Sequence, residues 1–225
     1  MGEMIENIAH QWRQPISQIN SAVLVMHGTL QVANINNPTL KNKLLEIEYL
    51  TKYMSNTIDA FRNLFENSKQ KEKFTLQEVI NNSISILRGS LLDNNIEVEL
   101  LINNNSIING YPQEIQQVIF VIVNNARDAL ISKKIEKPMI MITTLEREDK
   151  HIINICDNAG GIEETIIDKI FEPYYTTKHK SKGTGLGLYI SKMIIEDAMD
   201  GYIHVNNIHD GACFTIELKK EESDE

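Results

Sequence analysis

Between residues 5 and 30, apolar side chains recur mostly at three- and four-residue steps: Ile5, Ile8, Trp12, Ile19, Val23, Met26 and Leu30, with one gap of seven spanning Ile16. That is the period of an amphipathic helix. "NINNPT" (34–39) then interrupts with Asn and Pro, as a helix–helix connection does. A second apolar stripe follows at Leu40, Leu44, Ile47, Met54, Ile58, Phe61 and Phe65. The spacing predicts an antiparallel helical hairpin over residues 1–68. A lone hairpin cannot cover its stripe on both sides. Two copies make a four-helix bundle, so a homodimer is expected.

"NSKQKEK" (67–73) is polar and charged, and a linker is expected over 69–73. From residue 74 to 220 the texture changes. Helical patterns cover 75–95, 112–134 (Pro112 at the first turn, where its missing N–H costs nothing) and 185–199. Alternating or continuous apolar runs at 96–102, 139–146, 151–157, 202–207 and 212–219 read as strands. Intermixed helices and mostly antiparallel strands predict an α+β sandwich, one sheet with helices on one face. Residues 221–225 form an acidic tail.

Composition narrows the partners. The net charge of −9 argues against a nucleic-acid or anionic-membrane surface. No apolar run reaches the roughly 20 residues that cross a bilayer, and Met1 leads into "GEMIENIAHQWRQP" with no secretory leader pattern. Cys156 and Cys213 fall in strand-like runs and read as reduced core thiols of a cytoplasmic protein; no Cys/His metal spacing appears.

Candidate chemistry gathers in the second half. Five of the eleven glycines lie within residues 157–188. Asp157 ends an apolar strand and is followed by Asn-Ala-Gly-Gly, which puts a carboxylate at a pocket mouth where it can accept from an exocyclic amine such as adenine's. "GTGLGL" (183–188) leads into a helix, and Gly-rich backbone there is a phosphate cradle. "YYTTKHKSK" (174–182) reads as a lid with Lys178, Lys180 and Lys182 available to phosphate oxygens. The adjacent Asn124 and Asn125 are poor helix formers, and an Asn carbonyl suits a Mg²⁺ ion carrying nucleotide phosphates.

In order, these pieces resemble the sensor histidine kinases. "AHQWRQPI" (9–16) is similar to the phosphoacceptor box, in the form of a bacterial HQWRQP subgroup, and "QVIFVIVNNARDAL" (117–130) to the asparagine box. "DNAGGI" (157–162) and "GTGLGL" resemble the two glycine boxes, "FEPYYTTK" (171–178) the phenylalanine box, and "DGACF" (210–214) a degraded third glycine box. The resemblance implies a dimeric helical hairpin followed by an ATP-binding α/β sandwich of the type shared with gyrase and the ninety-kilodalton heat-shock chaperones. It implies His10 as phosphoacceptor, Asn125 as Mg²⁺ ligand, and Asp157 as reader of the adenine amino group. Gly161, Gly183, Gly185 and Gly187 would shape the nucleotide pocket and lid, with Lys178 near the phosphates. Departures stand at Val121, where the family usually has Asn, and at Asp128, where it often has a basic residue, with Arg127 shifted by one. Ala159 replaces a glycine, and Gln11 replaces a common acid.

The implied reaction is ATP-dependent autophosphorylation of His10 and phosphotransfer to an aspartate of a response regulator. Gln11 would orient the His10 ring by accepting its other N–H, and Pro15, which lacks an N–H and crowds the Gln11 carbonyl, would disrupt the helix locally and bend it one turn on. Gln14, four residues after His10, would aim a water during dephosphorylation of the regulator. His10 stands close to residue 1, so the chain is expected to be the catalytic core of a longer sensor, attached to a membrane only through other parts of it. Two other classes are weighed: a nucleotide-binding dimeric scaffold with an impaired core, favoured by Val121 and Gln11, and a nicotinamide dehydrogenase, disfavoured because no strand immediately precedes the GxGxG.

Overall fold

The computed structural model describes residues 2–33, 35, 37–40, 43–44, 47, 51, 55, 70–102, 107–147, 149–178 and 185–220, with backbone alone for 2–12. The chain divides into two compact units, Met1–Ser68 and Lys69–Glu225.

In the first unit, α1 runs from Gly2 to Val32 without a break at Pro15. Pro15 removes one intrahelical bond, leaving the Gln11 carbonyl without its usual donor, and the helix continues through it, as the apolar spacing from Ile5 to Leu30 predicted. Burial also departs from the simple stripe. Ile16, in the gap of the spacing pattern, is 2% exposed, like Val23, whereas Ile19 and Met26 are 44% and 51% exposed. Residues 16, 20, 23 and 27 form one flank of the helix, and 19 and 26 the next flank round. The Thr51 hydroxyl lies within hydrogen-bond reach of both Asn20 Oδ1 and the Ile47 carbonyl, its one proton shared between them, so the second helical stretch covers the first of these flanks. Most of the second predicted helix lies outside the described residues.

The second unit is an α+β sandwich with a mixed sheet. Glu72–Thr75 (β1) pairs antiparallel with Ile107–Gly110 (β3) in a small sheet of its own. Both strands escaped sequence reading, and the expected linker loses Glu72 and Lys73 to β1. Four residues give too little alternation to register as a period, and here the order comes from pairing rather than propensity. Thr75 then caps α2 (Leu76–Asp93): its hydroxyl accepts from the Glu78 N–H while the Glu78 carboxylate accepts from the Thr75 N–H, a reciprocal capping box.

The main sheet runs β2-β4-β5-β7-β6, from Glu97–Ile102 (β2), Met139–Glu146 (β4), Lys150–Asp157 (β5), Tyr202–Ile208 (β6) and Gly211–Lys219 (β7). Only β2 and β4 are parallel, because α3 (Pro112–Ser132) crosses between them. The five inward positions read from sequence, Ile115, Val118, Ile119, Ile122 and Val123, are fully buried, each stabilising by about 1.5–3 kcal/mol. The third predicted helix begins at Gly187 rather than residue 185: α4 covers Gly187–Met193 and passes into a π-helical turn, Ile194–Ala198.

Side-chain alternation divides the sheet faces. Ile153 and Ile155 of β5 are buried under the helices, so Asn154 and Cys156 point to the opposite face. There the register places Cys156 directly opposite Cys213 of β7, and the two are joined by a disulfide. This corrects the expectation of reduced core thiols: the cysteines face each other on the half-buried outer side. Among the described residues, no helix is long and apolar enough to cross a membrane.

Candidate functional site

Asp157 ends β5 where Gly211 of β7 passes so close that a Cβ there would lie 1.6 Å from the Asp157 carbonyl oxygen. Its Oδ1 accepts the N–H of Ala159 at 2.8 Å and of Ala212 at 3.3 Å. Burial pushes the carboxyl above the ordinary aspartate value, against these two N–H groups and the charge of Lys133. The following turn needs left-handed backbone at Gly160 (φ 73°) and Gly161 (φ 71°) but not at Ala159, so the alanine that departs from the family pattern costs the backbone nothing. Three side chains that sequence reading missed fix this turn. Asn207 takes the Ile162 N–H at 2.8 Å and donates to the Ile162 carbonyl at 2.7 Å. Asn158 does the same for the start of β4, at Met139 N and Lys137 O. Lys133 Nζ donates to the Gly161 carbonyl at 2.9 Å. Asn and Lys are common in surface loops, so nothing in the pattern singled these out.

Helix α3 supplies a second wall. Asn124 and Asn125 part company: Asn124 bonds back to the Phe120 carbonyl at 2.9 Å, whereas Asn125 Oδ1 accepts from Lys178 Nζ at 3.0 Å. Lys178 Nζ also meets Asp128 Oδ2 at 2.7 Å. Arg127 turns away, towards Asp128 Oδ1 (2.7 Å) and Ser90 of α2 (3.3 Å). Burial raises the Asp128 carboxyl, but hydrogen bonds and charge from Lys178 and Arg127 outweigh it and hold the group below the ordinary value, as a carboxylate. Val121, one turn before Asn125, carries no ligand atom; a Cβ on Gly187 would lie 3.1 Å from its Cγ1.

The phenylalanine-box segment is a run of turns rather than a helix, and it is pinned to the core. Phe171 meets Phe214 of β7 edge-on, ring centroids 6.3 Å apart, and Lys192 of α4 lies 5.8 Å over the Phe171 ring. Gly185 (φ 68°) sits where a Cβ would be 2.4 Å from the Tyr174 carbonyl carbon. Only glycine meets both constraints. Gly183, His179, Lys180 and Lys182 lie outside the described residues, as do the side chains of His10 and Gln11, whose backbone is helical in α1. Gln14 is exposed on α1. The structure thus gathers Asn125, Lys178 and Asp128 on one side and Asp157 and Gly161 on the other, linked along α3 through Lys133. Two surface hollows, about 750 and 370 Å³, lie elsewhere, at the β4–β5 hairpin (Glu146, Arg147) and beside α4 (Phe171, Tyr189). The site is defined by side-chain placement rather than by a closed cavity.

A mixed sheet covered on one face by helices, a carboxylate at a strand end before a glycine turn, and an amide on the facing helix define an ATP-binding domain. Residues 110–222 match the family described as Histidine kinase-, DNA gyrase B-, and HSP90-like ATPase, and the chain belongs to it. Among curated relatives it is similar to the two-component sensor PprA of Pseudomonas aeruginosa, 27% identical over 97% of this chain and 24% of that protein. It is likewise similar to sporulation kinase A of Bacillus subtilis, 28% identical over 97% of this chain and 34% of that protein. The chain therefore spans about a quarter to a third of the length of these relatives. Among solved structures, it resembles the catalytic domain of histidine kinase ThkA at 30% identity and TM-score 0.60, covering 68% of this chain and 99% of that one. ThkA in complex with the response regulator TrrA superimposes with TM-score 0.64 at 24% identity, over 98% of this chain and 62% of that one.

Proposed function

We propose that this chain is the catalytic core of a sensor histidine kinase of the HQWRQP subgroup. It binds ATP in the second unit, phosphorylates His10, and passes the phosphoryl group to an aspartate of a response regulator. The observation that carries the reading is Asp157: Oδ1 is occupied by two backbone N–H groups, and Oδ2 accepts none among the described residues, so it is left to read an exocyclic amine. Along α3, from Asn125 to Lys133, the rise is about 12 Å. That distance suits an adenine at Asp157 and phosphates at Asn125. Gly161 opens the adenine side, and Gly183, Gly185 and Gly187 shape the phosphate side.

A Mg²⁺ ion held at Asn125 would neutralise phosphate oxygens during transfer. The rest falls to the chain's own groups. Neutral His10 offers a ring lone pair to the γ-phosphorus; a P–N bond forms as the bond to the ADP oxygen breaks. Gln11 accepts the other ring N–H and fixes the tautomer, and Gln14 orients the water that later hydrolyses the regulator's aspartyl phosphate. ThkA bound to a response regulator supports the partner. The exposed flank of α1, Ile19 and Met26 beside the buried Ile16 and Val23, supports a homodimeric four-helix bundle built on residues 1–68. A cytoplasmic location, where ATP and regulators are found, belongs to the same reading.

The test is incubation with γ-labelled ATP. The expected product is an acid-labile, alkali-stable label on the chain, lost in His10→Gln while ATP affinity stays within a few-fold. Label that persists on histidine in His10→Gln refutes the acceptor. A chain that binds ATP but takes up no label would instead be a nucleotide-binding scaffold.

A further inference from the structure

Three side chains that sequence spacing treats separately converge on one point. Asn125 Oδ1 and Asp128 Oδ2 both accept from the Lys178 ammonium, at 3.0 and 2.7 Å. Asn125 and Asp128 stand three residues apart on α3, hence on one face. The Asp128 carboxylate is held from behind: Arg127 Nε and Nη2 donate to its Oδ1 at 3.1 and 2.7 Å, and Arg127 Nη1 reaches Ser90 Oγ of α2 at 3.3 Å. A fixed carboxylate beside a phosphate site poses an electrostatic problem. Anion facing anion repels, at about 4 kcal/mol for unit charges 4 Å apart near a protein surface, unless a cation lies between them. In this structure that cation is Lys178. Val121, one turn to the other side of Asn125, has no side-chain oxygen to offer, whereas Asp128 presents a carboxylate oxygen on this face.

Resting on the ATP-binding reading above, we propose that Asn125 and Asp128 together form the divalent-cation site of the nucleotide pocket, and that the Lys178 ammonium is a tethered cation that holds this site until a metal–nucleotide complex displaces it. The geometry is compatible. Mg²⁺–oxygen distances are about 2.0–2.1 Å, so each of the two oxygens closes by less than about 1 Å when the metal takes the ammonium's place. A carboxylate is also a stronger ligand for a hard cation than the amide missing at Val121. The released Lys178 is then free to reach phosphate oxygens. Because ammonium and metal exclude each other, the Mg²⁺ requirement for nucleotide binding is raised by the fraction of chains in which Lys178 occupies the site.

The experiment is calorimetric titration of the full chain with ATP at stepped MgCl₂ concentrations and in EDTA. It compares the natural sequence with Asp128→Ala, Asp128→Asn and Lys178→Met, with unfolding midpoints recorded for each. Asp128→Ala is expected to raise the half-saturating Mg²⁺ about tenfold or more without weakening metal-free ATP binding, and Asp128→Asn to raise it less. Lys178→Met is expected to lower the half-saturating Mg²⁺ by about threefold, the mark of a lost competitor. A half-saturating Mg²⁺ unchanged in folded Asp128→Ala, or unchanged or raised in Lys178→Met, overturns the inference. If the natural chain binds no adenine nucleotide at any Mg²⁺ concentration, the ATP-binding reading itself fails.

Discussion

Replacing Asp157 with Asn separates recognition from stability, because the two respond in opposite directions. The substitution keeps Oδ1 as an acceptor for the Ala159 and Ala212 N–H groups, so the turn into Gly160 and Gly161 is preserved. What changes is Oδ2, which becomes an NH₂ donor facing the adenine amino group. The lost charge-assisted hydrogen bond is worth about 1.5–3 kcal/mol, which corresponds to ATP binding weaker by roughly 10- to 150-fold. Stability moves the other way. Burial raises the folded carboxyl above its reference value of 3.8, so ionising it costs the folded state more than the unfolded one. The sign follows: between 3.8 and the folded pKa the native chain binds more protons, and stability falls as pH rises through that window. At neutral pH the full cost is present, and a neutral Asn removes it. Isothermal calorimetry with ATP, together with unfolding midpoints of the nucleotide-free protein at pH 7 and pH 4, reads both quantities. Asp157→Asn should bind ATP weakly yet melt above the natural sequence at pH 7, with the gap narrowing at pH 4. Unchanged ATP affinity would remove Asp157 from adenine reading. A lower midpoint at pH 7 would show that the burial argument has the wrong sign.

Gly185→Ala should destabilise the second unit by about 1–3 kcal/mol, from a left-handed φ and a Cβ 2.4 Å from Tyr174 backbone, and weaken ATP binding. Gly89→Ala, on α2 with nothing within 4 Å, should instead stabilise by about 0.5–1 kcal/mol; denaturant melts showing equal effects at the two positions would refute the distinction. His151 is buried, its pKa lowered from 6.5 by burial and by Lys220 against the pull of Glu146, and its Nδ1 has no hydrogen-bond partner among the described residues. The unfolded chain thus binds the proton first, and stability is lost as pH falls below 6.5; His151→Leu should flatten the midpoint-versus-pH curve between pH 7.5 and 5.5, and parallel curves would contradict this. The Cys156–Cys213 disulfide closes a separation of 57 residues, for which loop-closure entropy predicts about 4 kcal/mol. Cys213→Ser should lower the unfolding free energy by up to that amount, and thiol alkylation of the denatured, unreduced chain should label neither cysteine. Gln14→Ala should leave His10 labelling intact but slow decay of the phosphorylated regulator; identical decay curves would reduce Gln14 to a solvated residue.

The parts of the fold legible in the sequence were those carried by long periods. The buried stripe of α3 and all five strands of the main sheet stand where alternation or a continuous apolar run placed them, because burial on one face writes itself into residue order. What escaped was written in pairing instead. The strand Glu72–Thr75 is held by its register with Ile107–Gly110, and a polar start such as Glu72–Lys73 looks like a linker until its partner is known. The disulfide escaped for the same reason: the order of residues put both cysteines in strands, but only the register Cys156↔Cys213 makes them neighbours. At the site, Asp157 and Asn125 could be singled out as residue types out of place, an acid ending an apolar run and an amide inside a helix. Asn158 and Asn207 could not, since their clamps on backbone 45 or fewer residues away use side chains that are ordinary in loops.

Asp128 departs from the family pattern, and its surroundings make it part of a single stripe. Val121, Asn125 and Asp128 follow the four- and three-residue steps of one helix face, about 10 Å from end to end. The first packs against Gly187 and the other two hold Lys178. Lys178 and Gly187 therefore both meet this face of α3. The two attachments differ in kind. At Gly187 the contact is van der Waals, fixed by the absence of a Cβ, and is indifferent to charge. At Lys178 it is ionic and is replaceable by any stronger cation. If a metal-bearing nucleotide displaces the ammonium as proposed above, the Lys178 contact is lost while the Gly187 contact stays, so the charge of the ligand, rather than its shape, decides whether Lys178 is held or let go.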